Sequence, residues 1–227
     1  TAANPAINAK IGYSPITDFT PIINIAATPN VIAVHPSFPA RDYKTFIDVL
    51  KKSPGKYSYS SSGTGGIGHL QTELFKSLAG VFMTHIPYRG AGPALQDLVA
   101  GQVDMMFDGL GSSAVHIRGG RLRAIAVAAD KRAAAFPEVP TAAEGGVPTY
   151  KVATWYGIWA PKGTPADIAT AMGNEMRKAM SSDDLKAMWT SLGTETPNLW
   201  GADFGRFVSA EVKRWAEVVK TSGAKLD

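Results

Sequence analysis

YSYSSSGTGGIGHL, residues 57–70, decides the fold class of this chain. The stretch begins with the alternation of a short strand, breaks into serines and glycines, and continues with helical spacing. A strand, a glycine-rich loop and a helix in this order form the first half of a β-α-β unit. The loop also matches G-x-G-x-x-G through Gly63, Gly65 and Gly68, and therefore predicts a site for a dinucleotide or for a smaller anion.

The alternation of strands and helices continues along the chain. Strands are predicted at 57–61, 81–86, 103–107 and 122–128, and helices at 67–78, 93–99 and 113–118. This series indicates a mostly parallel sheet with helices on its faces. Two short strands, IINIAA and VIAVHP, and a helix over 41–52 are predicted before it. After it, the aromatic strand VATWYGIWAP leads to helices at 165–180, with Thr164 as N-cap, at 183–192 and at 200–222.

Composition excludes several classes of protein. The chain has 227 residues, 45% of them hydrophobic and 19% charged, which is enough for one or two globular domains. The net charge of +4 comes from scattered Lys and Arg, so no nucleic-acid partner is expected. The absence of Cys excludes disulfides and thiol catalysis. No apolar run approaches the roughly 20 residues that span a bilayer, and we expect any leader peptide to have been removed.

The glycine loop allows three interpretations. The N–H groups and dipole of a helix N-terminus, joined to a Gly/Ser loop, form an anion cradle without a charged side chain. A dinucleotide site needs an acidic residue about 20 positions later, but the next predicted strand ends near Arg89, which fits only an NADP 2′-phosphate. No Lys-Ser/Thr follows the glycines, so the Walker A motif is excluded. The glycines can also serve a tight turn alone.

Asp108 ends a later strand, in VDMMFDGLGSS. Strand ends of an open parallel sheet meet at one edge, so Asp108 is expected beside the glycine loop. A carboxylate next to an anion cradle favours a ligand of mixed polarity, with its anion on the loop and a hydroxyl or amine on Asp108. Alternatively, Asp108 caps the helix that follows.

Two further residues are weaker candidates for the site. His69 lies one turn into the loop's helix, where it either faces the cradle or donates to a backbone carbonyl. Tyr156, with Trp155 and Trp159, forms either the core of an interdomain strand or a wall of the ligand site. The spacing of the remaining histidines predicts no metal site, and neither a G-x-S-x-G motif nor a Ser-His-acid set is present. We therefore expect no catalytic residues and no cofactor.

Four segments together resemble the substrate-binding proteins of tripartite tricarboxylate transporters, the Bug family of Gram-negative bacteria. They are YSSSGTGGIGHLQTELFKSLAG, HIPYRGAGPALQDLVAGQVDMMFDGL, GRLRAIAVAADKRAAAFPEVPTAAEGG and TWYGIWAPKGTP. The resemblance extends over essentially the whole chain, to VVKTSGAKLD at its end. It implies a periplasmic receptor with two α/β domains of the Venus-flytrap (type II periplasmic-binding-protein) fold, monomeric at full length, which closes on a small organic anion and presents it to membrane permease subunits. No reaction is implied.

The resemblance also assigns the site. Ser61, Ser62, Gly63, Thr64, Gly65 and Gly66 correspond to the cradle that takes a ligand carboxylate, and Asp108 to the acidic position that meets the ligand's substituent. The family usually has Thr or Ser at the position of Gly66, so one hydroxyl is lost and the selectivity is open. The alternative function is an NADP-binding Rossmann-type oxidoreductase that uses Gly63-x-Gly65-x-x-Gly68.

The domain boundaries follow from the same resemblance. Residues 1–34 and 153–227 are assigned to domain 1, and residues 35–152 to domain 2, which carries the cradle. No P-x-x-G-G-x-x-D loop of domain 1 is found in the sequence. By the size of a β-α-β unit, we expect roughly 70 to 80 residues of domain 1 to be missing at its N-terminus.

Overall fold

The computed structural model describes residues 2–8 and 10–222. Its elements, in chain order, are α1 (Asn4–Ile7), β1 (Phe19–Val34), α2 (Tyr43–Lys52), β2 (Ser58–Ser61), α3 (Ile67–Ala79), β3 (Thr84–Pro87), α4 (Ala91–Val99), β4 (Met105–Gly109), α5 (Leu110–Arg118), β5 (Arg123–Val127), β6 (Ala153–Pro161), α6 (Ala166–Met180), α7 (Asp183–Ser191), β7 (Leu199–Trp200) and α8 (Gly201–Ser222).

Strand β1 belongs to two sheets. Its first part, as far as Pro29, pairs antiparallel with β6 and briefly with β7, and these three strands form the tail sheet. From Asn30 onward β1 pairs antiparallel with β4 and β5. The prediction of two short strands was therefore wrong, because Pro29 interrupts the sequence pattern at the point where β1 changes partners and does not end the strand.

The second sheet, called here the cradle sheet, has the order β3-β2-β4-β1-β5. Strand β2 is parallel to β3 and to β4, as predicted. Strand β1 lies antiparallel between β4 and β5, so the sheet is mixed. Two apolar clusters are built on its strands and helices, one containing Phe46, Phe75 and Phe107 and the other Leu98 and Leu110. These clusters hold β2, β4 and the helices that follow them in fixed positions.

Helices α6, α7 and α8 were all predicted, with boundaries shifted by one residue at most. Thr164 is not the N-cap of α6: Pro165 takes that position, and the Thr164 hydroxyl donates to the Pro161 carbonyl at 2.8 Å. The aromatic ring of Phe204 on α8 packs against Trp155 and Trp159 of β6. This contact packs apolar side chains of α8 against β6 of the tail sheet.

The domain boundaries predicted at residues 34/35 and 152/153 stay a prediction. Thr1, Ala9 and residues 223–227, which the prediction placed in domain 1, lie outside the described residues. Among the helices of the described part, none has the length and apolar character needed to cross a membrane.

Candidate functional site

The candidate site is built on the loop of residues 61–66, called here the cradle loop, which joins β2 to α3. Gly66 is the N-cap of α3, and no side chain caps this helix end. The first backbone bond of the helix runs from Leu70 N–H to the Gly66 carbonyl at 3.1 Å. The amides of the first turn, at Ile67 and Gly68, therefore precede the intrahelical bonding and give the loop the positive end of the helix dipole.

Glycine is required at two positions of the cradle loop. Gly63 has a φ of 137° and Gly65 a φ of 78°, values that side-chain-bearing residues rarely adopt. Inside the loop, Gly66 N–H donates to the Gly63 carbonyl at 3.2 Å, and Gly63 N–H donates to Ser61 Oγ at 3.2 Å. These bonds occupy two of the backbone donors that the sequence had assigned to the ligand.

The three hydroxyl side chains of the loop differ in their surroundings. Ser61 is fully buried, and its Oγ lies 2.6 Å from Nε2 of His85. Ser62 and Thr64 are half-buried, and neither hydroxyl bonds to another residue in the described part of the chain. The loop thus offers two hydroxyl groups and the amides of a helix end to an external acceptor.

His69 lies beneath the cradle loop. The residue is 7% exposed, and Nδ1 of its ring accepts a hydrogen bond of 3.1 Å from Gly65 N–H. Through this bond Nδ1 of the ring faces the backbone of the cradle loop. A direct contact between His69 and a ligand stays a prediction.

Asp108 ends β4 next to the first turn of α3. A Cβ placed on Gly68 would lie 3.4 Å from the Phe107 carbonyl, so the two segments are in close contact. The Asp108 carboxylate accepts hydrogen bonds from the Ser112 hydroxyl and, at 3.2 Å, from the Ser113 hydroxyl. Burial raises the pKa of Asp108, although these hydroxyls and the Gly109 backbone oppose the rise.

Asp108 is not the N-cap residue of α5, which was the alternative prediction for this residue. Gly109 is the N-cap of α5, and in the first turn Gly111 N–H donates to Thr28 Oγ1 at 3.1 Å rather than to Asp108. Asp108 is instead tied to the first turn of α5 through serine hydroxyls.

A cleft of about 350 Å³ lies between the cradle loop and β6. Its lining residues are Ala2, Ala3, Asn4, Gly65, Gly66, Ile67, Ala153, Thr154, Trp155, Tyr156, Gly157, Trp159 and Trp215. The predicted residues Gly65, Gly66 and Tyr156 thus share one cavity. The other predicted site residues are not part of its lining: Ser61, Ser62, Gly63, Thr64, His69 and Asp108.

Tyr156 is 50% exposed on β6. Burial of the hydroxyl and, secondarily, the charge of Asp108 raise the pKa of Tyr156. The charge of Asp108 therefore acts on the Tyr156 hydroxyl. The neighbouring Trp155 donates its indole N–H to Glu211 at 3.1 Å, which fixes the aromatic wall to α8.

Sequence reasoning missed part of the cleft. Ala2, Ala3 and Asn4 line it at the start of the short helix α1, in a stretch for which no helix or strand was predicted. Pro5 at the start of this helix was the available signal, since proline favours the first helical turn. Thr154 and Trp215 were also missed. Within residues 2–8 and 10–222, no group of three or more His, Asp or Glu side chains is placed to hold a metal ion.

Comparison with known proteins places the chain in a family. The model of the tripartite tricarboxylate transporter family receptor matches residues 1–224. Protein BugT of Bordetella pertussis is 33% identical over 226 residues, which cover 99% of this chain and 69% of BugT. The chain spans 63% to 69% of the length of the curated relatives that match it at 33% to 36% identity.

Two solved structures contain carboxylate ligands. Rpa4515 of Rhodopseudomonas palustris, solved with adipate, is 38% identical with a TM-score of 0.93, and the match covers 99% of this chain and 75% of that one. MatC of the same organism, solved with bound malate, is 32% identical with a TM-score of 0.90 and coverages of 96% and 75%. The likeness to such structures confirms the predicted α/β periplasmic-binding-protein fold.

Proposed function

The chain belongs to the tripartite tricarboxylate transporter receptor family, and we propose that it is an extracytoplasmic solute receptor for a small organic carboxylate. One observation carries the proposal: no described side chain caps the N-terminus of α3, and its N-cap Gly66 and first residue Ile67 line a cleft. Amides at such a helix end favour an anion, and Ser62 and Thr64, whose hydroxyls bond to no other described residue, supply further donors.

The ligand class follows from the kind of donors present. Hydroxyl and amide groups match a carboxylate in size and in hydrogen-bonding geometry, and no Lys or Arg among the described residues lines the cleft. A half-exposed tyrosine and tryptophans on the opposite wall suit the apolar body of an organic acid. The adipate of Rpa4515 and the malate of MatC support this class of ligand.

The roles of the residues are part of the proposal. Residues 61–66 form the carboxylate-binding loop, with Ser62 and Thr64 as hydroxyl donors. Asp108 interacts with the polar substituent of the ligand, together with Tyr156. Ser61 acts mainly within the loop, because its hydroxyl already bonds there.

The oxidoreductase alternative has no support. The chain belongs to a family of substrate-binding receptors, which are not enzymes. The match to G-x-G-x-x-G is accounted for by loop geometry, since Gly63 and Gly65 have positive φ and Gly68 packs close to the Phe107 carbonyl.

The remaining parts of the proposal concern the whole protein. A periplasmic location, a monomeric state and delivery of the ligand to the permease of a tripartite tricarboxylate-type transporter are all proposed from the family. Loss of uptake of the bound carboxylate in a strain that lacks only this receptor would support the delivery role. Unchanged uptake would contradict it.

Calorimetric titration tests the binding role. Adipate and malate serve as probes, and the double variant Ser62→Ala, Thr64→Val is compared with the wild type. We expect at least one probe to bind the wild type, and the variant to bind it at least about tenfold more weakly, as removal of two hydrogen bonds implies. Equal affinity of variant and wild type would show that the loop does not hold the carboxylate.

A further inference from the structure

Beneath the cradle loop, three aromatic side chains from three different elements form a stack. The rings of His69 on α3 and His85 on β3 lie 4.3 Å apart and nearly parallel, at 3°. The ring of Tyr59 on β2 stacks on the other face of His85 at 4.8 Å and 16°. Tyr59 is fully buried, and its hydroxyl donates to Glu73 at 2.7 Å. This hydrogen bond fixes the Tyr59 end of the stack.

The two imidazoles reach different parts of the cradle loop. His85 meets its first residue, because Nε2 lies 2.6 Å from Ser61 Oγ. His69 meets its far end, because Nδ1 accepts from Gly65 N–H at 3.1 Å. The two stacked rings therefore bond to the cradle loop at Ser61 and at Gly65, and a shift of either ring would move the loop.

The bond from Gly65 fixes the protonation of His69. A backbone N–H can only donate, so Nδ1 must carry no proton, and a neutral ring then has its proton on Nε2. Gly65 has a φ of 78°, and the acceptor at Nδ1 of His69 holds its backbone amide in this conformation.

We propose that His69 and His85 are positioning residues of the cradle loop: their stacked rings hold Ser61 and Gly65 so that the neighbouring donors converge on one anion. This inference rests on the proposed function. It gives His69 a role without ligand contact, and it gives His85 a role that the sequence did not indicate. Preorganised donors bind more tightly because the loop need not be ordered when the ligand arrives.

The test uses three variants of His69. In His69→Asn, Oδ1 is separated from Cα by as many bonds as Nδ1 of histidine and can accept from Gly65 N–H. In His69→Gln the acceptor lies one bond further out, and in His69→Leu it is absent. Affinity is measured by calorimetry with adipate and malate, and the exchange rate of the Gly65 amide hydrogen is measured by NMR without ligand.

We expect His69→Leu and His69→Gln to bind the better probe at least about tenfold more weakly than the wild type, because each loses one buried hydrogen bond. His69→Asn keeps this bond and should stay within about threefold of the wild-type affinity. The Gly65 amide should exchange at least about tenfold faster in the first two variants only. If His69→Leu does not fold, the comparison of Gln with Asn decides.

The proposal is overturned if the Gly65 amide exchanges at the wild-type rate in His69→Leu or His69→Gln. It is also overturned if His69→Asn and His69→Gln bind the probe with equal affinity. If the wild type binds neither probe, the proposed function fails, whereas the exchange rates still decide whether His69 holds the loop.

Discussion

The hydroxyl of Thr154 donates a hydrogen bond of 2.8 Å to Oδ1 of Asn30, and so joins β6 to β1 at the point where β1 passes from one sheet to the other. Asn30 is 1% exposed, and its Nδ2 donates to Oε1 of Gln71 on α3. Gln71 in turn donates to the Phe107 carbonyl at 2.7 Å. A buried polar network therefore connects the strand crossing to the cradle helix.

This network predicts a large stability loss for Gln71→Leu. The substitution leaves the Asn30 amide and the Phe107 carbonyl without their partner, which costs about 2 kcal/mol for buried groups. Urea unfolding should show this loss, whereas Gln96→Leu, at an exposed position of α4, should change the free energy of unfolding by less than about 0.5 kcal/mol. Equal effects of the two substitutions would mean that the network contributes nothing.

The backbone conformation of Gly65 predicts that Gly65→Val abolishes carboxylate binding in a folded protein. A β-branched residue at a φ of 78° is strained, and the loop must rearrange to relieve the strain. Gly80 is a matched control, because it has a φ of 63° at the far end of α3 with open space around it. Gly65→Val and Gly80→Val should lose similar stability in thermal unfolding, but only Gly65→Val should lose binding. Wild-type affinity in Gly65→Val would contradict the cradle assignment.

The position of Asp108 predicts a change in selectivity. Asp108→Ala should alter the order of affinities among dicarboxylates, hydroxy acids and amino acids, because this carboxylate is proposed to meet the ligand's substituent. Calorimetry over such a panel measures the order. An order identical to that of the wild type would leave Asp108 only a local role at the start of α5.

The raised pKa of Asp108 also predicts a pH dependence of stability. A carboxyl that binds its proton more tightly when folded gives a contribution that is complete below its ordinary pKa of 3.8 and is lost as pH rises through the raised value. The stability of Asp108→Asn relative to wild type should therefore increase between about pH 3 and 7. A constant difference would show that the pKa is not raised. Asp48→Asn, at an exposed position of α2, is the control.

The aromatic wall of the cleft predicts that Gly157→Ala is destabilising. A Cβ at this position would lie 2.3 Å from the Phe204 ring and 2.8 Å from the Trp159 ring, so both must move. Overpacking of this kind costs about 1 to 3 kcal/mol. Gly92→Ala, a helical position with no atom within 4 Å of the new Cβ, should be neutral or stabilising. Chemical denaturation compares them, and a neutral Gly157→Ala would show that the wall is loosely packed.

The sequence predicts the α/β series well because local signals define it. Glycine and proline separate the elements from residue 53 onward, and the predicted start of α3 at Ile67 is confirmed. The course of β1 could not be predicted in this way. Its pairing with β4, β5, β6 and β7 is decided by strands that come much later in the chain, and Pro29 alone does not show that the strand continues into a second sheet.

The candidate site is predictable only in part. The glycines at 63 and 65 identify the loop, because few other sequences can adopt its backbone conformation. Which of its donors are already used depends on His69 and His85, and on distances that spacing does not contain. The closeness of Tyr156 to the loop likewise results from β1 joining two sheets, which no local pattern indicates.

A thermal-shift screen tests the central claim most directly. The protein is heated with dicarboxylates including adipate and malate, with tricarboxylates, amino acids and aromatic acids, and with NADP, because a ligand that binds only the folded state raises the unfolding midpoint. We predict a raised midpoint with one class of organic acid and none with NADP. A midpoint raised by NADP and by no organic acid would contradict the receptor function and the role of the cradle loop.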